Sequence, residues 1–116
     1  MKRQTWLAPL YFGETAEKKK DRLIRKLNRS KGMPVDVYLI TLAANGRDVF
    51  DILSAVWLMQ PAVKKRLPTV VGIACGREEA MEVVLGIARE VYEKTGGADI
   101  RRYILARQKE FEETGR

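Results

Sequence analysis

Two short apolar runs constrain this fold most strongly. Val35–Ala43 (Val-Asp-Val-Tyr-Leu-Ile-Thr-Leu-Ala) and Thr69–Ala74 (Thr-Val-Val-Gly-Ile-Ala) are rich in β-branched residues and nearly continuous in apolar character. A strand with one wet face alternates apolar and polar side chains. A strand that is apolar almost throughout is covered on both faces, as in parallel sheets. Each run is followed by a Gly-Arg-acid triplet: Gly46-Arg47-Asp48 after the first and Gly76-Arg77-Glu78 after the second.

After the second triplet, Arg77–Lys94 is the clearest helix of the chain. Ala80, Met81, Val83, Val84, Ile87, Ala88 and Val91 form a broad apolar arc, and Glu78, Glu79, Glu82, Arg89, Glu90 and Glu93 form the wet one. Gly96-Gly97 stops it. After the first triplet, Asp48–Gln60 also reads as a helix with Asp48 at its start, although Asn45-Gly46 is a turn signal that could open a hairpin. Val49, Phe50, Ile52, Leu53, Val56, Trp57 and Met59 cover most of its circumference, so it is expected to be deeply buried or shared with another subunit.

Residues 100–105 admit two readings. Ile100, Arg102 and Ile104 would share one face of a strand; alternatively Asp99 caps a helix with Ile100, Tyr103, Ile104 and Phe111 on one side. Position favours the strand, which completes a β-α-β-α-β order. The expected fold is therefore α/β: a small, open, mostly parallel sheet with right-handed crossovers and an added N-terminal helix.

That helix spans about 15–30, within a segment 14–31, with Thr15 as its N-cap and Gly32 as its stop. Ala16, Leu23, Ile24 and Leu27 make a narrow apolar stripe. Lys18, Arg22, Arg25 and Arg29 make the opposite one, widened by Lys19 and Lys26. The chain's net charge is +7. Residues 1–34 hold ten basic and three acidic residues, so the excess lies in this third, and residues 35–116 are balanced. Lys18, Arg22, Arg25, Lys26 and Arg29, with Lys64-Lys65-Arg66 if it shares their face, are candidate contacts to nucleic acid or another polyanion. Trp6, Tyr11 and Phe12 are nearby stacking surfaces. A solvated face is the plain alternative, and the narrow stripe argues against a membrane role. No helix-turn-helix, RRM or KH pattern is present.

The single domain 1–116 is expected to comprise an N-terminal arm (1–13), the basic segment (14–31), an α/β body (35–105) and a polar tail (106–116). Met1-Lys2-Arg3 and Trp6–Phe12 have the outline of a signal peptide. The run is short, broken by Pro9 and lacks a cleavage site, so the segment is expected to remain in the mature protein. The arm would lay Trp6, Leu10 and Phe12 on the core or on a partner subunit. No stretch reaches the roughly 18 apolar residues of a membrane span. One Cys and no His exclude an internal disulfide, a Cys-x-x-Cys site, the usual zinc ligand sets and His-dependent nucleophilic catalysis. A reducing, cytoplasmic setting is expected.

If the two strands are parallel, Gly46, Arg47, Gly76 and Arg77 meet at the carboxyl edge of the sheet, a candidate site for a phosphate, carboxylate or nucleotide. Neither a P-loop nor a dinucleotide fingerprint is present. Cys75, beside Arg77 and a helix start, is a candidate reactive thiol. No catalytic set, metal site or cofactor is assigned. A binding or regulatory module is expected rather than an enzyme. Homo-oligomerisation through Val49–Met59 or the arm is the structural alternative.

Overall fold

The computed structural model describes residues 6–29, 34–43 and 49–114. Four strands, β1 (Trp6–Phe12), β2 (Val37–Leu42), β3 (Phe50–Ser54) and β4 (Val70–Cys75), form one sheet in the order β1-β4-β2-β3. The helices are α1 (Glu14–Glu17), α2 (Lys20–Arg29), α3 (Pro61–Lys65), α4 (Arg77–Thr95) and α5 (Ile100–Thr114), with a 3-10 turn at Ala55–Met59.

The expected two-sided burial is present in the two central strands. In β2, Val37 and Leu39 enter one core, while Tyr38, Ile40 and Leu42 face the other. In β4, Ile73 joins the first core and Val71 and Ala74 the second. The first core is closed by Ala16, Leu23 and Leu27 of α1 and α2, by Ala55 and Leu58 of the 3-10 turn, and by Leu67. The second is closed by Ala80, Ile87 and Val91 of α4 and Ile104 of α5. The sheet thus separates a layer of α1, α2, the 3-10 turn and α3 from a layer of α4 and α5.

The α/β class holds, but the sheet is mixed. Only β1 and β4 are parallel; β2 runs antiparallel to both β4 and β3. The segment expected as a helix at 48–60 is instead β3 followed by the 3-10 turn. Phe50 and Ile52 pack toward α4 and Leu53 toward the opposite core. A short strand apolar on both faces and a helix apolar all round present the same run of residues. The oligomer expected through a Val49–Met59 helix loses its premise with that helix. Asp48, its expected start, lies outside the described residues.

The expected arm is the edge strand β1. Pro9 falls where its register with β4 jumps, between Trp6↔Val70 and Tyr11↔Gly72. An edge strand tolerates a residue without an N–H there. With β1 in the sheet, residues 100–105 are not needed as a strand. They begin α5, whose first turn is capped by Asp99 Oδ1, accepting from the Arg102 N–H at 3.3 Å. Arg101 Nη2 ties this end to the sheet by donating to the Ala43 carbonyl at 2.7 Å. The helix expected over about 15–30 is divided at Lys18-Lys19 into α1 and α2; Gly32, its expected stop, lies outside the described residues.

Ile73 is fully buried on the central strand. Ile73→Ala should therefore lower unfolding stability by about 2–5 kcal/mol. Urea denaturation followed by circular dichroism measures this; a loss below about 1 kcal/mol would contradict the packing described.

Candidate functional site

Of the basic stripe read from the sequence, Arg22 and Arg25 lie on the outer face of α2. Leu23 and Leu27 of α2 are fully buried and Ile24 packs beside them, which turns Lys20, Arg22 and Arg25 outward. Lys18 is exposed at the α1–α2 junction, whereas Lys26 is half-buried. The Arg29 side chain lies outside the described residues. Lys18, Lys19, Lys20, Arg22 and Arg25, with Glu17 and Asp21, line an open basin of about 440 Å³. Lys20 Nζ lies 5.8 Å from the centre of the Phe12 ring, within cation–π range.

Lys65 and Arg66 are exposed and belong to the same layer, because Leu58 and Leu67 share a core with Leu23 and Leu27. Segments 14–29 and 61–66 contain ten Lys or Arg and three Asp or Glu. That is a local surplus of +7. α4 and α5, on the other side of the sheet, hold seven basic and eight acidic residues.

The basic layer is held from behind by a carboxylate. Glu79 Oε1 accepts from the Thr15 N–H at 3.0 Å. Its Oε2 accepts from the Ala16 N–H at 3.2 Å and the Cys75 N–H at 2.8 Å. Gly13, not Thr15, is the N-cap of α1, and it supplies no side-chain cap; Glu79 does that from a distant helix. Burial alone would raise the Glu79 carboxyl. The Cys75 N–H, the Thr15 hydroxyl and the Thr15 and Ala16 N–H groups outweigh it and hold the carboxyl below its usual range. A Cβ at residue 13 would collide with the Glu79 side chain, so glycine there lets the carboxylate approach.

The two Gly-Arg-acid turns were expected to converge through parallel strands. Because β2 and β4 are antiparallel, Thr41 pairs with Val70 and Val37 with Cys75, and the two strands end at opposite edges of the sheet. Gly46 and Arg47 lie outside the described residues. Gly76 adopts φ +100°, a conformation suited to glycine, and donates its N–H to the Asp36 carbonyl at 2.6 Å. Arg77 is exposed, and Glu78 and Glu79 occupy the first turn of α4. The Cys75 thiol shifts upward, not downward. Burial is the main cause, the Glu79 and Asp36 carboxylates add to it, and Lys19 opposes it. That keeps the thiol protonated and works against a nucleophilic role.

Sequence reasoning missed a second carboxylate centre on the far side of the sheet. Glu90 Oε2 accepts from Tyr11 Oη at 2.9 Å and from Tyr103 Oη at 2.7 Å, joining α4 to β1 and α5. Burial, then the Glu90 hydrogen bond, raises the Tyr11 phenol; for Tyr103 the hydrogen bond leads and burial follows. The Arg107 guanidinium lies 4.7 Å from the centre of the Tyr11 ring. Tyr11 is thus engaged inside the fold rather than offered as a stacking surface. A groove of about 330 Å³ runs beside this centre, between Tyr11–Glu14 and α4. Another, of about 510 Å³, lies between β3 and α3, lined by Thr41, Asp51, Leu53, Val63, Arg66 and Leu67 among others. Among the described residues no three Cys, Asp or Glu side chains converge as metal ligands, and no helix is long and apolar enough to cross a membrane. Comparison with protein-family models, curated proteins and solved structures finds no match to this chain.

A folded carboxyl held below its unfolded value stabilises the fold fully above that value, near pH 4.3. The contribution is lost as pH falls through the lower, folded value. Glu79→Gln should therefore cost about 1–3 kcal/mol at pH 7, and the gap from the parent protein should narrow under acid. Gly13→Ala should destabilise too, by displacing the carboxylate. Urea titrations between pH 3 and 7 measure both; a Glu79→Gln deficit that stays constant across that range would contradict a charged clasp.

Proposed function

We propose that this protein is a polyanion-binding module whose ligand is nucleic acid, held through phosphates on the layer of α1, α2 and α3. The observation that carries this reading is the local excess of ten basic over three acidic residues in segments 14–29 and 61–66, which share one side of the sheet. Cations crowded on one face repel one another, and a run of phosphates relieves that repulsion while releasing its own condensed counterions. The open basin between Lys18 and Arg25 suits a backbone that lies along the surface. It does not enclose a small molecule.

The small-anion reading is the weaker alternative. Its expected meeting of two turns depended on parallel strands, and the first turn of α4 presents Glu78 and Glu79 beside Arg77. The module reading calls for no catalytic residue and no cofactor.

Binding of an oligonucleotide should weaken steeply between low and moderate salt. Each phosphate neutralised contributes about 0.7 to the slope of log affinity against log salt for a single strand. The double variant Arg22→Gln/Arg25→Gln should lower that slope by roughly one to two, and charge reversal at both positions should abolish binding. Fluorescence anisotropy across a salt series measures this. Salt-independent affinity, or no binding at low salt, would overturn the reading.

A further inference from the structure

Resting on that reading, we infer that the ligand is single-stranded nucleic acid and that Trp57 is the platform on which one of its bases stacks. Trp57 lies in the 3-10 turn directly before Leu58, and Leu58 is buried in the same core as Leu23 and Leu27 of α2. The turn is therefore part of the basic layer. Its register buries Ala55 and Leu58 and leaves Trp57 and Met59 outward, 51% and 53% exposed.

Tryptophan usually contributes most of its large surface to a core or an interface. Here about half is left in water, followed by exposed Met59, Pro61 and Ala62, with Lys65 and Arg66 a few residues beyond. An exposed indole face on the layer that carries the cations matches a base attached to its phosphates: the ring stacks and the charges hold the backbone. Among the described side chains, Phe12 and Tyr11 do not offer the same face. Phe12 is half-buried beneath Lys20, and Tyr11 is hydrogen-bonded to Glu90.

The stacked base must be unpaired, because a duplex keeps its π-faces inside its own stack. A lipid surface fits less well. Interfacial helices present an apolar face alongside their basic one, whereas Leu23 and Leu27 of α2 are fully buried. The molecule's longest dimension is 40 Å, so a single strand of roughly a dozen nucleotides is long enough to cross any face of it, within the span such surfaces occupy.

The test uses the full chain with four probes: a twelve-nucleotide oligothymidylate, a duplex of equal length, heparin, and vesicles containing anionic lipid. Trp57→Ala should bind the oligothymidylate about ten- to a hundred-fold more weakly and heparin as the parent does. Trp57→Phe should recover part of the loss. Oligothymidylate should quench the parent's tryptophan fluorescence more than that of Trp57→Phe. Unchanged oligothymidylate affinity in Trp57→Ala, with salt-sensitive binding intact, would overturn this inference and leave the polyanion reading standing. An equal loss for heparin and oligothymidylate would overturn it by making Trp57 a structural residue. Preference for the duplex, or for vesicles, would also overturn it. If neither oligothymidylate nor heparin binds the parent at low salt, the polyanion reading itself fails.

Discussion

The Glu79 carboxylate joins the two sides of this molecule. It projects from α4, which belongs to the charge-balanced layer, and takes its hydrogen bonds from the first N–H groups of α1, which begins the basic layer, and from the end of β4. A four-residue helix cannot sustain itself in water. α1 persists because its free N–H groups meet a fixed charge at one end and Ala16 is buried in the core. α2 follows after two residues, so its direction depends on where α1 is held. Gly13 completes the arrangement by leaving room for the carboxylate.

This clasp opposes the chain's own electrostatics. The basic layer is crowded with like charges, and nothing within it supplies equal counter-charge. An edge-on tie, together with burial of Leu23 and Leu27, keeps α2 on the sheet without neutralising its outer face. Lys18, Lys20, Arg22 and Arg25 stay exposed to water. Glu90 plays the corresponding part on the other side, where two phenols and one carboxylate bind β1, α4 and α5 together. The two carboxylates thus tie the helices of both layers to the sheet.

Much of this was legible in the order of residues, and the parts that were not have physical reasons. β2, β4 and α4 were plain because their apolar runs and the 3.6-residue period of Ala80, Val84, Ile87 and Val91 have few competing explanations. The same period foretold the buried Leu23 and Leu27 and the exposed Arg22 and Arg25 of α2. β3 was not, since Phe50, Ile52 and Leu53 divide between two cores and erase the alternation that marks a strand. Pro9 concealed β1, because a proline inside a run argues against every strand except one at an edge. Residues 100–105 fit two periods, and the choice between them depended on β1 already filling its place in the sheet. Neither carboxylate centre could be read. The Glu79 contacts span more than sixty residues in sequence to Thr15 and Ala16, and a side chain bonding to distant backbone leaves no spacing pattern. Trp57 was visible only as part of a supposed buried helix; its exposure follows from the 3-10 register.

The most direct test of this account is backbone amide chemical-shift mapping during titration with a twelve-nucleotide oligothymidylate at low salt. The account predicts that shifts concentrate in residues 14–29 and 55–66, with the outer face of α4 and the whole of α5 left unmoved. Shifts concentrated in α4 and α5, or a titration that moves no resonance, would contradict it.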